Sequence, residues 1–259
     1  MRNSKKTAII IPCYNEENRL DSQAFINFIE SHPEYILCFV NDGSTDDTIS
    51  VLNNIREAQP DQVHVYDVPW NGGKAAAVRA GAIYLNECTD ASFIGFIDAD
   101  LSTDFEDFKA LVHKLDSNKK LDLVYGSRNK GEGNGVDRNF FRSVFSNIVK
   151  AFIYLILRLP IEDTQCGAKV FRKSIVSVAF SMPFQTKWLF DVEIFIRLKR
   201  YYSPDNVMNH IYEQPLVKWV HVDDSKLGVK DAVQIPMKLI LIWYKYNITS
   251  QLVGTQQAL

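Results

Sequence analysis

The 259-residue chain is long enough for one large domain, and its 46% hydrophobic and 23% charged residues describe a globular protein with a substantial core. Twenty-nine lysines and arginines against 31 aspartates and glutamates leave a net charge of −2, which excludes a global field that recruits nucleic acid or anionic lipid. Four scattered cysteines without a C-x-x-C pair exclude a disulfide framework and fit a reducing, cytosolic compartment. The N-terminus reaches strand-like sequence within a few residues, so no signal peptide is expected. The longest apolar runs, 151–157 and 239–244, fall short of the ~18–20 residues of a spanning helix, so the chain is not expected to cross a membrane by itself.

In chain order, residues 7–12 predict a buried strand ended by proline. The polar loop Cys13-Tyr14-Asn15-Glu16-Glu17-Asn18 then runs into a helix with apolar spacing at Leu20, Ala24, Phe25, Phe28 and Ile29. A second strand over 35–40 stops at Asn41-Asp42-Gly43-Ser44-Thr45-Asp46-Asp47-Thr48, a run of turn and helix-capping residues. A third covers 63–68, and Asn71-Gly72-Gly73-Lys74 leads into an alanine-rich helix over 75–85. The fourth, Phe93-Ile94-Gly95-Phe96-Ile97, precedes a helix over about 104–115, and a fifth over 121–125 ends at Gly126-Ser127-Arg128. Strand, polar loop and helix, repeated four times, predict a mostly parallel α/β sheet with helices on both faces. Right-handed crossovers then collect the polar stretches along one edge.

Past Arg128 the pattern changes. Residues 129–139 read as a loop with three glycines, and 128–150 carry Arg128, Lys130, Arg138, Arg142 and Lys150 against Glu132 and Asp137. Helical spacing with a broad apolar face covers 143–159. Residues 161–172 read as a polar turn followed by a strand-like segment, a helix opens at Trp188 and runs through Arg200, and a strand is expected over 207–216. A last amphipathic segment spans 231–246, with Pro236 as its start or a kink. Amphipathic segments of this kind lie in a bilayer interface or pack onto the sheet. No repeat or linker divides the chain, so 1–259 is read as a single domain.

The stretch Phe93 to Asp100 concentrates the chemistry. An apolar run stops at Asp98-Ala99-Asp100, which puts two carboxylates at the C-terminal edge of a parallel strand, where open α/β sheets bind ligands. Alternate residues of an extended chain share a face, so both carboxylates are able to serve one site. Hard oxygen ligands beside a crevice suit Mg²⁺ or Mn²⁺; equally, these are turn or capping aspartates ahead of the helix near Asp104. The five histidines show no metal-ligand spacing.

Taken together, Ile11-Pro12-Cys13-Tyr14-Asn15-Glu16, Asn41-Asp42-Gly43-Ser44-Thr45-Asp46, Asn71-Gly72-Gly73-Lys74, Asp98-Ala99-Asp100 and Gly126-Ser127-Arg128 resemble, in order, the motifs of family 2 glycosyltransferases. The later Asp163-Thr164-Gln165-Cys166-Gly167-Ala168-Lys169 and Phe190-Asp191-Val192-Glu193 resemble the branch that glycosylates polyprenyl phosphates, with Thr-Gln-Cys-Gly-x-Lys most like the dolichyl-phosphate glucosyltransferases. Trp219 and Ser225-Lys226-Leu227 fit that subgroup too. The resemblance implies an inverting enzyme on the Rossmann-like GT-A fold, with 1–128 holding the nucleotide sugar and 129–259 forming an acceptor-binding, membrane-proximal half with C-terminal amphipathic helices.

By position, the resemblance places Pro12, Tyr14, Glu16, Asp42, Lys74, Asp98 and Ala99 around the donor, with Asp42 on the base. It puts Asp100 on a Mg²⁺ or Mn²⁺ ion, with Asp98 toward the ribose or the metal. Relatives with glutamine two residues beyond the second aspartate differ from this chain, which has Ser102. Asp98, Asp100, Arg128 and Asp191 are the expected catalytic set, and Arg128, Arg138, Arg142, Lys169 and Lys226 the expected cations for an anionic acceptor. A phosphate monoester is already anionic near neutral pH and attacks without a base. A hydroxyl acceptor requires one, for which Asp191 is the candidate. The implied activity is transfer of glucose from UDP-glucose to a dolichyl-type phosphate, with peripheral contact at the cytosolic face of a membrane and no role for nucleic acid. GDP-mannose as donor, a cell-surface glycan hydroxyl as acceptor, and a sugar-nucleotide-binding module without turnover are the alternatives.

Overall fold

The computed structural model describes residues 5–128, 140–217 and 229–249, excluding the side chains of 140–148, 229–233 and 248–249. Strands β1 (Thr7–Cys13), β2 (Tyr35–Asp42), β3 (Val63–Val68), β4 (Phe93–Phe96), β5 (Leu123–Ser127), β6 (Lys169–Arg172) and β7 (Ile211–Pro215) form one sheet in the order β3-β2-β1-β4-β6-β5-β7. All neighbours run parallel except β6, which is antiparallel to both β4 and β5. This makes a mostly parallel α/β sheet, as the repeated strand–loop–helix pattern predicts.

Successive residues on the central strands alternate between two cores. Ala8 and Ile10 face one side with Val40, Phe96 and Tyr125, while Ile9 and Ile11 face the other with Phe39, Val124 and Val170. A strand buried on both faces keeps its middle positions apolar, which is why β1 and β2 read as nearly continuous apolar runs with polar residues only at their ends. Helices α1 (Ser22–Ser31), α2 (Thr48–Ala58) and α4 (Phe105–Ser117) supply Phe25, Leu52 and Phe108 to the second core. Helices α3 (Lys74–Cys88), α5 (Phe140–Leu157), α6 (Lys173–Ala179), α7 (Phe190–Tyr202) and α8 (Val229–Tyr244) border the first, all but α5 and α8 with wholly described side chains.

The expected fifth strand over 121–125 shifts to Leu123–Ser127, and the expected strand over 207–216 begins with a 3₁₀ turn at Val207–Asn209 before β7. Pro236 lies inside α8 rather than at its start. A single π-helical turn, Lys245–Thr249, extends α8 and carries Tyr246 back toward α7.

Candidate active site

The loops after β1 and β2 are laced side by side. Asn15, in the left-handed region at φ 51°, accepts from Thr45 N (2.9 Å) and donates its own N–H to Ser44 Oγ (3.0 Å). Glu16 N donates to Thr48 Oγ1 (2.8 Å), and Glu17 N to Asp46 (3.2 Å). Of the three positions expected around the nucleotide, Pro12 and Tyr14 are half-buried and Glu16 is buried.

Asp42, buried at the end of β2, accepts from the backbone N–H groups of Gly72 (2.9 Å) and Gly73 (2.7 Å), one on each carboxylate oxygen. Burial raises its pKa, partly offset by those two bonds. The side chain thus fixes the turn ahead of α3, a role distinct from the base contact that the resemblance implies. A Cβ on Gly43 would sit 2.5 Å from the Trp70 carbonyl carbon, and Gly43 has φ +62°, so glycine alone lets these two turns meet.

Lys74 opens α3 and forms an ion pair with Asp98 just past β4. Burial opposes its charge, but Asp98, Asp191 and Asp100 outweigh that and raise its pKa. A Cβ on Gly167 would lie 2.1 Å from Asp98 Oδ2, so that glycine keeps the space the carboxylate fills. Asp100 is exposed; its Oδ1 accepts from Ser102 N (2.9 Å). Ala99 between them is buried. The structure therefore brings Lys74, Asp98 and Asp100 to the predicted sheet edge, one carboxylate engaged and the other facing solvent.

Behind them lies a buried pair. Lys169 on β6 is 0% exposed, donates to the carbonyls of Thr164 (3.0 Å) and Cys166 (2.8 Å), and stands 2.7 Å from Asp191 Oδ1 in the first turn of α7. The approach to Asp191 is too oblique for a hydrogen bond, so that oxygen has a counter-ion but no in-line donor. Burial raises the Asp191 pKa, against the attraction of Lys169 and Lys74. Lys169 is thereby corrected from an acceptor-binding cation to an internal counter-ion: an enclosed ammonium with three partners does not reach an acceptor.

Arg128 grips Asp163 through Nε (2.7 Å) and Nη2 (2.8 Å), and its backbone N–H adds a third bond (3.1 Å). Burial would raise the Asp163 pKa, but the bonds to Arg128 hold it below the ordinary value. Arg128 remains at the rim, with its charge already matched by a buried carboxylate that reading the sequence left without a role. The aspartate opening the Asp163-Thr164-Gln165 motif was its visible signal. Glu193, in the same turn as Asp191, accepts from the backbone N–H groups of Gln185 (2.9 Å) and Thr186 (3.3 Å) and from Tyr246 Oη (3.0 Å). It clamps the segment before α7. Arg138 and Lys226 lie outside the described residues, as do Trp219 and the Ser225-Lys226-Leu227 stretch, and so does the side chain of Arg142.

A mostly parallel sheet with an Asp-x-Asp pair and a helix-opening lysine on one edge defines a nucleotide-sugar glycosyltransferase of the GT-A class. The glycosyl transferase family 2 model matches residues 8–180, and the chain belongs to that family. It is similar to the dolichyl-phosphate beta-glucosyltransferases of Drosophila melanogaster (30% identical over 260 residues, 95% of this chain and 76% of the relative) and Dictyostelium discoideum (28% over 254 residues, 92% and 74%). In structure it resembles the glucosyl-3-phosphoglycerate synthase of Mycobacterium tuberculosis (TM-score 0.67, 17% identity, covering 94% of this chain and 81% of that one). It also resembles that enzyme's complex with Mn²⁺, UDP-glucose and phosphoglyceric acid (TM-score 0.64, 18% identity, 93% and 80%). At these identities the likeness shows the fold.

Proposed function

We propose that the chain transfers glucose, with inversion, from UDP-glucose to a dolichyl-type polyprenyl phosphate. The observation that carries this reading is the meeting of Lys74, Asp98 and Asp100 beside the Gly72-Gly73 turn, taken with the names of the similar enzymes. Residues 1–128 hold the donor and 129–259 supply the acceptor side.

Two carboxylates, one with an open oxygen, fit a hard divalent ion. No group of three or more ligating side chains gathers among the described residues, so Asp100 and Asp98 would hold Mg²⁺ or Mn²⁺ with few protein ligands. A bound ion would supply positive charge against the diphosphate that the broken glycosyl–phosphate bond leaves. Lys74 contributes to the same task from α3, held in place by Asp98. Arg128, positioned by Asp163, is the cation that would meet an anionic acceptor. The acceptor oxygen needs no base, since a phosphate monoester is already charged at neutral pH. Asp191 is closed in by Lys169 and fits the role of positioning that lysine and the floor of the site better than abstracting a proton.

Among the described residues, no helix is long and apolar enough to cross a membrane. The solvent side of α5 and α8 nevertheless carries Tyr154, Leu155, Met237, Ile240 and Trp243, each at least 44% exposed. Such a face suits peripheral seating at the membrane that holds the lipid acceptor, on its cytosolic side.

The test offers purified protein, Mg²⁺ or Mn²⁺ and a short polyprenyl phosphate with UDP-glucose, GDP-mannose and UDP-N-acetylglucosamine in turn. Glucosyl lipid from UDP-glucose alone is expected. Product from GDP-mannose overturns the sugar, and transfer only to saccharides overturns the acceptor.

A further inference from the structure

We infer that Lys187 is a donor-binding residue whose ammonium contacts the diphosphate of the nucleotide sugar at the Gly72-Gly73 turn. The inference rests on the nucleotide-sugar reading above and adds a cation that the family-like motifs do not contain.

Lys187 precedes α7, and its backbone is held from several directions. Its carbonyl accepts from Ala75 N in the first turn of α3 (3.1 Å), Glu193 takes the N–H groups of Gln185 and Thr186, and Thr186 Oγ1 accepts from Leu189 N (3.1 Å). The side chain then crosses the turn itself. A Cβ built on Gly73 would stand 2.7–2.9 Å from Cβ, Cγ and Cδ of Lys187, so the aliphatic stem lies directly on the glycine. Gly73 also has φ +87°, so any other residue at that place is both strained and in collision with the lysine.

The ammonium beyond that stem is exposed and makes no hydrogen bond or ion pair with any described residue. Its neighbours at the site differ. Lys74 is matched by Asp98, Arg128 by Asp163 and Lys169 by Asp191. Asp42, a carboxylate that senses the Lys187 charge, has both oxygens committed to Gly72 and Gly73 N–H groups. An unmatched cation laid across a glycine turn at the N-terminus of a 15-residue helix is the arrangement that an anion completes. A departing nucleoside diphosphate gains charge as the glycosyl bond breaks, and a cation fixed on a braced backbone stabilises that charge without reorganising.

The test is calorimetric titration of the full chain and its Lys187→Met and Lys187→Arg variants with UDP, GDP, uridine and guanosine, in Mg²⁺. The expectation for Lys187→Met is a diphosphate affinity about tenfold or more weaker, the size of one charge-assisted hydrogen bond, with nucleoside affinity and melting temperature unchanged. Lys187→Arg keeps the charge and is expected to restore most of the loss. Equal UDP affinity in wild type and Lys187→Met overturns the inference and leaves a surface lysine. Equal loss of UDP and uridine affinity overturns it too, because the side chain then acts only through the shape of the turn. If the wild type takes GDP instead and Lys187→Met weakens it, the inference stands and the UDP-glucose assignment falls. A wild type that binds neither diphosphate overturns both.

Discussion

Asp98 and Asp100 leave the same strand end two residues apart, yet their surroundings separate their tasks. Asp98 is the counter-ion of Lys74, whereas Asp100 keeps an oxygen toward solvent after bonding Ser102 N. Asp100→Asn is therefore expected to lower transfer by about 10²–10³-fold while the melting temperature stays within a degree or two, since an exposed carboxylate supports no packing. Asp98→Asn strips a counter-ion from a largely enclosed lysine and should cost stability as well, about 1–3 kcal/mol. Paired thermal melts and transfer assays separate the two; equal loss of stability in both variants would contradict the division. Asp163 gives a pH prediction. Its folded pKa is depressed below the unfolded value of 3.8, so the Arg128–Asp163 contribution is fully present above that value and is lost as pH falls through the folded pKa. Urea titrations below about pH 4 should show stability falling more steeply in the wild type than in Asp163→Asn, a variant with no carboxylate there to protonate.

At the scale of elements, the strands and their polar ends were legible because a strand buried on both faces has an unmistakable apolar run, and because carboxylates, glycines and capping residues interrupt it sharply. The insertion of β6 antiparallel between β4 and β5 was not legible, since strand direction leaves no local mark on side-chain periodicity. The Lys169 misreading follows from that. On a rim loop a lysine is a surface cation, but on a central strand it must be paired, and Asp191 from α7 is its partner. The roles of Asp163 and Lys187 are not legible in the sequence for a similar reason: they lie in partners 35 residues away for Asp163 and at Gly73, ahead of α3, for Lys187. The clamp before α7 also joins distant elements. Tyr246, on the turn after α8, donates to Glu193 and accepts from Arg197 Nε (2.8 Å), while Glu193 holds Gln185 and Thr186. Tyr246→Phe leaves both charged groups short of a partner and should destabilise by about 1–3 kcal/mol. If the clamp works as drawn, hydrogen exchange at the Gln185 and Thr186 amides rises more than at β1; uniform exchange gains would reduce Tyr246 to ordinary packing.

The whole molecule shows an asymmetry between its two ends of sequence. The N-terminal half encloses most of its apolar side chains on both faces of the sheet, Trp70 and Tyr66 being the exposed large ones, whereas α8 has two apolar faces and buries only one. Leu239 and Ile242 are fully enclosed in the core, with Ile235 and Tyr246 packed beside them, a spacing of four, three and four residues along one helical stripe. Met237, Ile240, Leu241 and Tyr244 repeat the same geometry on the opposite stripe, where each is at least 49% exposed. An ordinary surface helix places charges there. The second stripe is the face that the proposed membrane seating would use, and because both stripes lie on one helix, truncation cannot separate core packing from the outer face. Removing 231–259 takes Leu239 and Ile242 out of the core, so loss of solubility would follow whatever the outer face does. Point variants do separate them. Met237→Ser, Ile240→Ser and Leu241→Ser combined are expected to reduce co-sedimentation with vesicles containing polyprenyl phosphate by about 10–100-fold, leaving nucleotide affinity and melting temperature near wild type. Leu239→Ala should instead cost about 2–5 kcal/mol of stability. Unchanged vesicle binding by the triple variant would assign the outer stripe to another partner and detach the membrane from the acceptor side of the site.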